Sequence, residues 1–159
     1  LKYMGTQGTS GIKIYDVNIA STGLTVESAK STTNFDVDSV INVGVAGALS
    51  DDLNIGGIAI SNKTVEFDQD TTALGYELGY TFGINKVYVE CDDELDENIY
   101  NISSKDFNTC VGTILSSDKF VSDENLKTFL KDKFQNAVAV DMETAIANNF
   151  FKELCEKNI

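Results

Sequence analysis

An apolar run that ends in two closely spaced glycines, residues 40–49, constrains the fold of this chain more than any other stretch. Val40 to Val43 is apolar at three of four positions without alternation, which predicts a strand buried on both faces. Gly44 and Gly47 then predict a tight turn whose backbone can come close to a ligand. Open α/β sheets bind small molecules where such strands end, so this turn is a candidate binding element. An ordinary glycine-rich turn is the alternative interpretation.

Further strands alternate with helices along the chain, and this pattern predicts an α/β layer fold in one domain. Strands are predicted at residues 11–20, 58–60, 86–90, 111–115 and 137–140, with residues 1–4 forming a hairpin with the first of them. Helices are predicted over residues 25–35, after a cap at Ser122 or Asp123, and from Met142 to about Glu156. Residues 66–80 are expected to form an ordered loop, and residues 92–97 an acidic surface turn.

The charged residues exclude several classes of function. The net charge is −13, and all twelve basic residues are lysines. An acidic surface repels nucleic acid, so that partner is not expected. The absence of histidine from this sequence excludes histidine-based triads and histidine-containing zinc sites. The odd number of cysteines, at 91, 110 and 155, does not complete a disulfide framework or a four-cysteine zinc site.

No run of apolar residues approaches the roughly 20 needed to cross a bilayer. No signal-peptide pattern is found among the first ten residues either. A cytoplasmic protein without a membrane partner is therefore the expectation, and no metal or cofactor is predicted.

Two carboxylates at a predicted strand-to-helix junction indicate a site for a sugar. Asp141 and Glu143 flank Met142, where the positive end of the helix dipole favours ionised carboxylates. Such a carboxylate can accept two hydrogen bonds from the vicinal hydroxyls of a ribose. Charge complementarity at the N-terminus of a helix is the alternative explanation for the same residues.

An aromatic residue follows another predicted strand. Phe120 comes after the small and polar residues 116–119, and its ring could stack on a flat heterocycle. A phenylalanine in the core is the alternative. Asp68 and Asp70 suggest a metal site only weakly, and a loop stabilised by bonds from side chains to backbone is the other interpretation.

Taken in order, four stretches resemble the motifs of the nucleoside phosphorylase superfamily. The chain reads INVGVAGAL, DQDTTALGYELG, ILSSDKF and VAVDMETAIA, where the family reads N-T-G-x-A-G-G, H-D-x-D-x-T-x-F-G-Y, S-G-D-x-F and V-E-M-E. The resemblance extends from about Tyr15 to Phe150 and is greatest to the 5′-methylthioadenosine/S-adenosylhomocysteine nucleosidases. It implies a three-layer α/β/α fold with a mixed central sheet, in a single domain over residues 1–159 that is incomplete at both ends.

The resemblance also implies roles for individual residues. Backbone of the glycine turn faces the sugar and base, an aromatic ring stacks on adenine, the next backbone meets the base edge, and the acidic motif binds the ribose hydroxyls. Ala46 and Gly47 correspond to the backbone of the glycine turn, Phe120 to the stacking ring, and Val121 to the backbone at the base edge. The residues that correspond to the acidic motif are Asp141, Met142 and Glu143. In the family's homodimer, the positions of Thr71 and Leu74 close an alkylthio pocket of the neighbouring subunit, so a homodimer is expected.

The chain also departs from the family pattern. Asp141 replaces a glutamate and Ser117 a glycine, while Val43, Phe67 and Ala48 replace a threonine, a histidine and a glycine. The family's first strand contains the acid that activates water, and its last strand contains an aspartate that protonates the purine. We expect both groups to lie outside these 159 residues, so no catalytic residue is assigned in this chain.

The expected reaction is hydrolysis of the N-glycosidic bond of 5′-methylthioadenosine or S-adenosylhomocysteine, with release of adenine and a thio-ribose. General acid and base steps are each worth about 10² to 10⁴ in rate, so whether this chain alone is an enzyme is left open. We expect it to be part of a larger protein, or to be completed by a partner. The alternatives are a catalytically inactive nucleoside-binding or scaffold homologue and a purine nucleoside phosphorylase.

Overall fold

A computed structural model describes residues 2–7, 12–16, 41–145 and 148–149, with side chains described from residue 41 onward. The chain divides into two compact units, Leu1–Val40 and Ile41–Ile159, and each is described by itself. Organisation as a single domain stays a prediction.

The first unit contains a two-stranded antiparallel hairpin. Strand β1, Lys2–Gln7, pairs with strand β2, Ile12–Asp16. The hairpin predicted from the turn-forming residues between them is therefore confirmed. The helix predicted over residues 25–35 lies outside the described residues.

The second unit is built on a mixed five-stranded sheet. Its strands in chain order are β3, Gly47–Ala48; β4, Ile58–Glu66; β5, Val89–Glu90; β6, Thr109–Ser116; and β7, Ala137–Asp141. In space the order is β3-β7-β6-β4-β5. The three central strands β4, β6 and β7 are parallel, and the short edge strands are antiparallel to their neighbours. This arrangement confirms the predicted α/β class with a mixed central sheet.

Both helices with complete bounds begin at an aspartate cap. Helix α1, Asp93–Ser103, begins after Asp92, whose side chain accepts a hydrogen bond from the N–H of Leu95. Helix α2, Glu124–Lys133, begins after Asp123, so one of the two predicted caps is confirmed. Residues 144–145 and 148–149 are also helical, and the rest of the helix predicted after Met142 lies outside the described residues. None of the helices described is long and apolar enough to cross a membrane.

Two expectations about secondary structure are wrong. Residues 92–97 do not form a surface turn, because Asp92 caps α1 and acidic residues fill its first turn, where they complement the helix dipole. Nor does the chain form the predicted buried strand and its tight turn: residues 41–46 are irregular and Gly47 belongs to β3, with Val43 85% exposed. Gly47 pairs with Val140 in antiparallel register, so a continued ladder would place Ala46 opposite Asp141, the last residue of β7. The residues before Ala46 would have no strand to join.

Apolar side chains pack on both faces of the sheet. Ile114 and Leu115 are neighbours in β6 and point to opposite faces, and both are buried. Leu115 lies in one apolar cluster with Leu130 and Phe134, whereas Ile114 lies in another with Val138. The central strands are therefore covered on both sides, as expected for parallel strands.

Candidate functional site

The three parallel strands end in line. Glu66, Ser116 and Asp141 are the last residues of β4, β6 and β7, and they are register partners across the sheet. The predicted motifs leave the sheet directly after these residues, so they begin at one carboxyl edge. Small molecules usually bind at such an edge in open α/β sheets.

At the end of β7, the two predicted carboxylates have different surroundings. Asp141 accepts hydrogen bonds from the hydroxyl of Ser116 at 2.5 Å and from the backbone N–H of Glu143 at 3.3 Å. Its other donors are the N–H and hydroxyl of Thr144. Glu143 is half-buried. Among the described residues, its carboxylate accepts one hydrogen bond, from the N–H of Met142 at 3.2 Å. Glu143 thus keeps acceptor capacity that Asp141 has already used.

The segment predicted as the glycine turn, residues 44–47, lies beside this end of β7. Gly47 is the register partner of Val140, one residue before the acidic motif. Ala46 and Gly47 are both exposed, so their backbone is accessible to a ligand. The amide of Asn42 also donates to the hydroxyl of Thr144 at 3.1 Å, which joins the turn to the start of the helix after β7.

The aromatic loop follows β6. Phe120 is 81% exposed, whereas the side chain of Val121 is buried. The alternative interpretation of Phe120 as a core residue is therefore wrong. The backbone N–H of Asp118 donates to the carboxylate of Asp68 at 2.9 Å, which attaches this loop to the loop after β4. The backbone of Val121 has no hydrogen-bond partner among the described residues.

The loop after β4 is stabilised by local bonds, as the second interpretation of its aspartates predicted. Asp70 accepts from the hydroxyl and the N–H of Thr72 at 2.7 and 3.0 Å, and these bonds lower the pKa of Asp70 below its usual value. A short 3₁₀ helix, Thr72–Leu74, follows, with Thr71 at its start and Leu74 72% exposed. The roles of Thr71 and Leu74 toward a partner subunit stay a prediction. Among the described side chains, no group of three or more residues is suited to a metal ion.

A cavity of about 280 Å³ lies elsewhere, against α1. It is lined by Asn62, Asp93, Asp96, Glu97, Tyr100 and Val111, and none of these belongs to a predicted motif. Burial, followed by the charges of Asp93 and Asp92, raises the pKa of Asp96 to about 6. Three carboxylates line this cavity, and it lacks the glycine turn and the exposed ring that a nucleoside site requires. The carboxyl edge is the better candidate.

Sequence reasoning assigned no role to Ser116, and it predicted that Asp68 bonds to backbone without identifying the partner. Ser116 is completely buried and bonded to Asp141, and Asp68 is bonded to the loop of Phe120. The one sequence signal for Ser116 was its position, since it is a polar residue at the end of an apolar strand. Its partner, however, lies 25 residues away and is identified only by the register of β6 and β7.

Residues 11–149 match the family model described as the phosphorylase superfamily. Over 132 residues the chain is 36% identical to the 5′-methylthioadenosine/S-adenosylhomocysteine nucleosidase of Staphylococcus carnosus, a match that covers 80% of this chain and 58% of that protein. The chain therefore spans less than two thirds of the length of this relative.

Solved structures of similar proteins share the fold. The Neisseria meningitidis 5′-methylthioadenosine/S-adenosylhomocysteine nucleosidase, in complex with methylthio-immucillin-A, has a TM-score of 0.70 at 27% identity, covering 82% of this chain and 55% of that one. A Helicobacter pylori MTAN mutant with 5′-methylthioadenosine in its active site has a TM-score of 0.71 at 28% identity, covering 84% and 56%. These similarities confirm the predicted phosphorylase-like fold.

Proposed function

Because this chain belongs to the phosphorylase superfamily, we propose that it forms the nucleoside-binding part of an N-glycosidase that releases adenine from 5′-methylthioadenosine or S-adenosylhomocysteine. The similarity to named nucleosidases supports this substrate class. The homodimer, the cytoplasmic location and a role in methionine salvage belong to the same proposal.

The observation on which the proposal depends is the alignment of Glu66, Ser116 and Asp141 at one edge of the sheet. It brings the start of the aromatic loop, the acidic motif and, through β3, the glycine turn to neighbouring positions. A nucleoside needs a flat apolar surface for its base and hydrogen-bond acceptors for its sugar hydroxyls. The exposed ring of Phe120 and the carboxylate of Glu143 supply these two chemistries.

In the proposed complex, the ring of Phe120 stacks on adenine and the backbone of Val121 bonds to the edge of the base. Glu143 accepts hydrogen bonds from the 2′- and 3′-hydroxyls, and Met142, which is 38% exposed, lies against the ribose. A carboxylate that accepts from both hydroxyls orients the sugar and also faces the positive charge that develops on it. Cleavage of an N-glycosidic bond passes through such an oxocarbenium-like sugar, as in glycoside hydrolysis generally.

The binding of the thioether end is assigned to Thr71 and Leu74 of a second copy. Leu74 presents an exposed apolar side chain, which suits an alkylthio group. Thr71 has a buried hydroxyl oxygen without a hydrogen-bond partner among the described residues. The proposal assigns binding and orientation to the residues of this chain, and it assigns no proton transfer to them.

Release of adenine from 5′-methylthioadenosine, measured with and without phosphate, tests the proposal. Release that does not depend on phosphate supports a nucleosidase, whereas release that requires phosphate supports a phosphorylase. Micromolar binding of the nucleoside, measured by calorimetry, without any turnover would support the non-catalytic alternative. Absence of both turnover and binding would overturn the assignment of the site.

A further inference from the structure

We propose that Ser116 and Asp141 are positioning residues that fix the turn containing Met142 and Glu143, and that Asp141 does not itself bind the sugar. This inference rests on the proposed function and goes beyond it by separating the two carboxylates of the acidic motif. The pair connects the last residues of two parallel strands, and the hydroxyl of Ser116 also accepts the N–H of Ala145 at 2.8 Å. Ser116 is completely buried.

The hydrogen bonds of Asp141 leave little capacity for a ligand. Its Oδ1 atom accepts from the Ser116 hydroxyl and from the N–H groups of Glu143 and Thr144. Its Oδ2 atom accepts from the N–H and the hydroxyl of Thr144. A carboxylate offers about four lone-pair sites, and five donor contacts from the chain itself already occupy them. A ribose hydroxyl would have to displace a bond that the folded chain makes.

These bonds reach both ends of the acidic turn. Asp141 precedes Glu143 in the chain, whereas Thr144 and Ala145 follow it, and Ser116 is bonded to residues on both sides. The turn is therefore closed on itself around Glu143. Asn42 extends the same network to the glycine-turn segment through the hydroxyl of Thr144.

The helix beyond this turn has its own attachments to the sheet. Asn148 donates to the hydroxyl of Thr64 at 2.9 Å, and Asn149 donates to the carboxylate of Glu66 at 3.3 Å. Loss of the Ser116–Asp141 pair should therefore release the turn and leave the helix in place. We therefore expect Glu143 to be displaced in a protein that is still folded. A shift of about 1 Å in a positioning group can cost about a hundredfold in function.

The test compares Asp141→Asn and Ser116→Ala with the unchanged chain, using calorimetric binding of 5′-methylthioadenosine and of adenine. Asp141→Asn keeps the shape of the side chain but replaces one acceptor oxygen with an NH₂ donor. This conflicts with the surrounding groups, because all of them donate hydrogen bonds to this side chain. We expect each variant to weaken binding of the nucleoside at least tenfold while adenine affinity changes less than twofold, since Phe120 and Val121 are untouched. Hydrogen exchange at the backbone N–H groups of residues 143–145 should become at least tenfold faster.

Two matched controls separate positioning from stability. Thr113→Val removes a buried hydroxyl from the same strand, one that donates to the carbonyl of Gln135 at 2.8 Å. Asp92→Asn makes the same carboxylate-to-amide change at the cap of α1. Both controls are expected to keep the ratio of nucleoside affinity to adenine affinity, whatever they do to the melting temperature.

The outcomes distinguish this inference from the proposed function. If the unchanged chain binds the nucleoside but both variants keep its affinity ratio, or if exchange at residues 143–145 is unaltered, the positioning role is overturned and the proposed function stands. If Asp141→Asn weakens nucleoside binding without faster exchange, Asp141 contacts the sugar directly, and the inference is again overturned. A chain that binds neither ligand overturns the proposed function together with this role.

Discussion

Gly47 lies directly opposite Val140 in the antiparallel pair of β3 and β7. Val140 is followed at once by the acidic motif, so this single register pair places the glycine turn beside the proposed ribose site. Neither Gly44 nor Gly47 has a positive φ. A Cβ atom at Gly47 would meet a methyl group of Val140 at 3.5 Å, and one at Gly44 would meet nothing within 4 Å.

Gly47→Ala should therefore fold normally and bind the nucleoside more weakly. The added methyl group makes only ordinary contacts within the protein. Replacing glycine also reduces the conformational entropy of the unfolded chain, so the unfolding free energy should change by less than about 1 kcal/mol. In the proposed complex the same methyl group occupies space that the sugar needs, and we expect about a tenfold loss of affinity by calorimetry. Gly44→Ala is the matched control and should leave affinity within twofold; equal effects of both changes would remove Gly47 from the site.

Glu143→Gln should weaken binding of 5′-methylthioadenosine with little change in stability. A hydrogen bond to a charged acceptor is worth about 1.5–3 kcal/mol, which corresponds to a loss of about 10- to 150-fold in affinity. Adenine, which lacks the ribose, should bind as before. Glu124→Gln makes the same change in the first turn of α2 and serves as the control. Unchanged nucleoside affinity in Glu143→Gln would exclude Glu143 from the ribose site.

Phe120→Ala should weaken the binding of both adenine and the nucleoside. Stacking of a base on an aromatic ring is worth about 1–3 kcal/mol, and the ring is 81% exposed, so its removal should shift the unfolding free energy by no more than about 0.5 kcal/mol. Phe107→Ala removes another ring, 54% exposed, from the opposite end of β6. Affinities measured by fluorescence or calorimetry should fall only for the change at Phe120, and a parallel fall for Phe107 would point to non-specific binding.

Asp96→Asn should stabilise the protein above pH 6 and have no effect below about pH 4. Burial, Asp93 and Asp92 raise the pKa of Asp96 from 3.8 in the unfolded chain to about 6. The folded state thus binds more protons between these values, and its unfolding free energy falls as the pH rises through that window. Because Asp96 is only half-buried, solvent screening limits the expected gain to about 1 kcal/mol.

Thermal melts from pH 3.5 to 8 measure this effect. The difference in melting temperature between Asp96→Asn and the unchanged chain should be a few degrees at pH 7.5 and should disappear at the acidic end. Asp106→Asn, at an exposed position after α1, controls for the change in net charge. A constant difference across the whole pH range would show that Asp96 is not the group responsible.

The sequence predicted the central strands because their cause is local. Residues 137–140 are continuously apolar, and residues 111–115 are interrupted only by Gly112 and Thr113. A strand with both faces covered favours that composition. Asp123 was predicted as a cap for an equally local reason, since its side chain bonds to an N–H three residues later. Phe120 and Glu143 were identified because they belong to motifs that directly follow these strands. Their roles stay proposals.

Other features depended on which strands became neighbours. The segment before Gly47 has the composition of a strand, yet residues 41–46 are irregular. Continued from Gly47 and Val140, the ladder would reach the last residue of β7 at Ala46, and the earlier residues would have no partner strand. The chain order alone likewise did not indicate that Ser116 would meet Asp141, because that contact follows from the parallel register of β6 and β7.

By itself, therefore, the amino-acid sequence determined the types of most elements, the α/β class and the residues with the chemistry to bind a nucleoside. Only the tertiary structure decided how the two acidic groups differ: Asp141 is bonded by its own chain, and Glu143 retains acceptor capacity. The physical reason is that composition and short-range spacing set propensity and capping, whereas the partners of a carboxylate are set by strand register across the sheet.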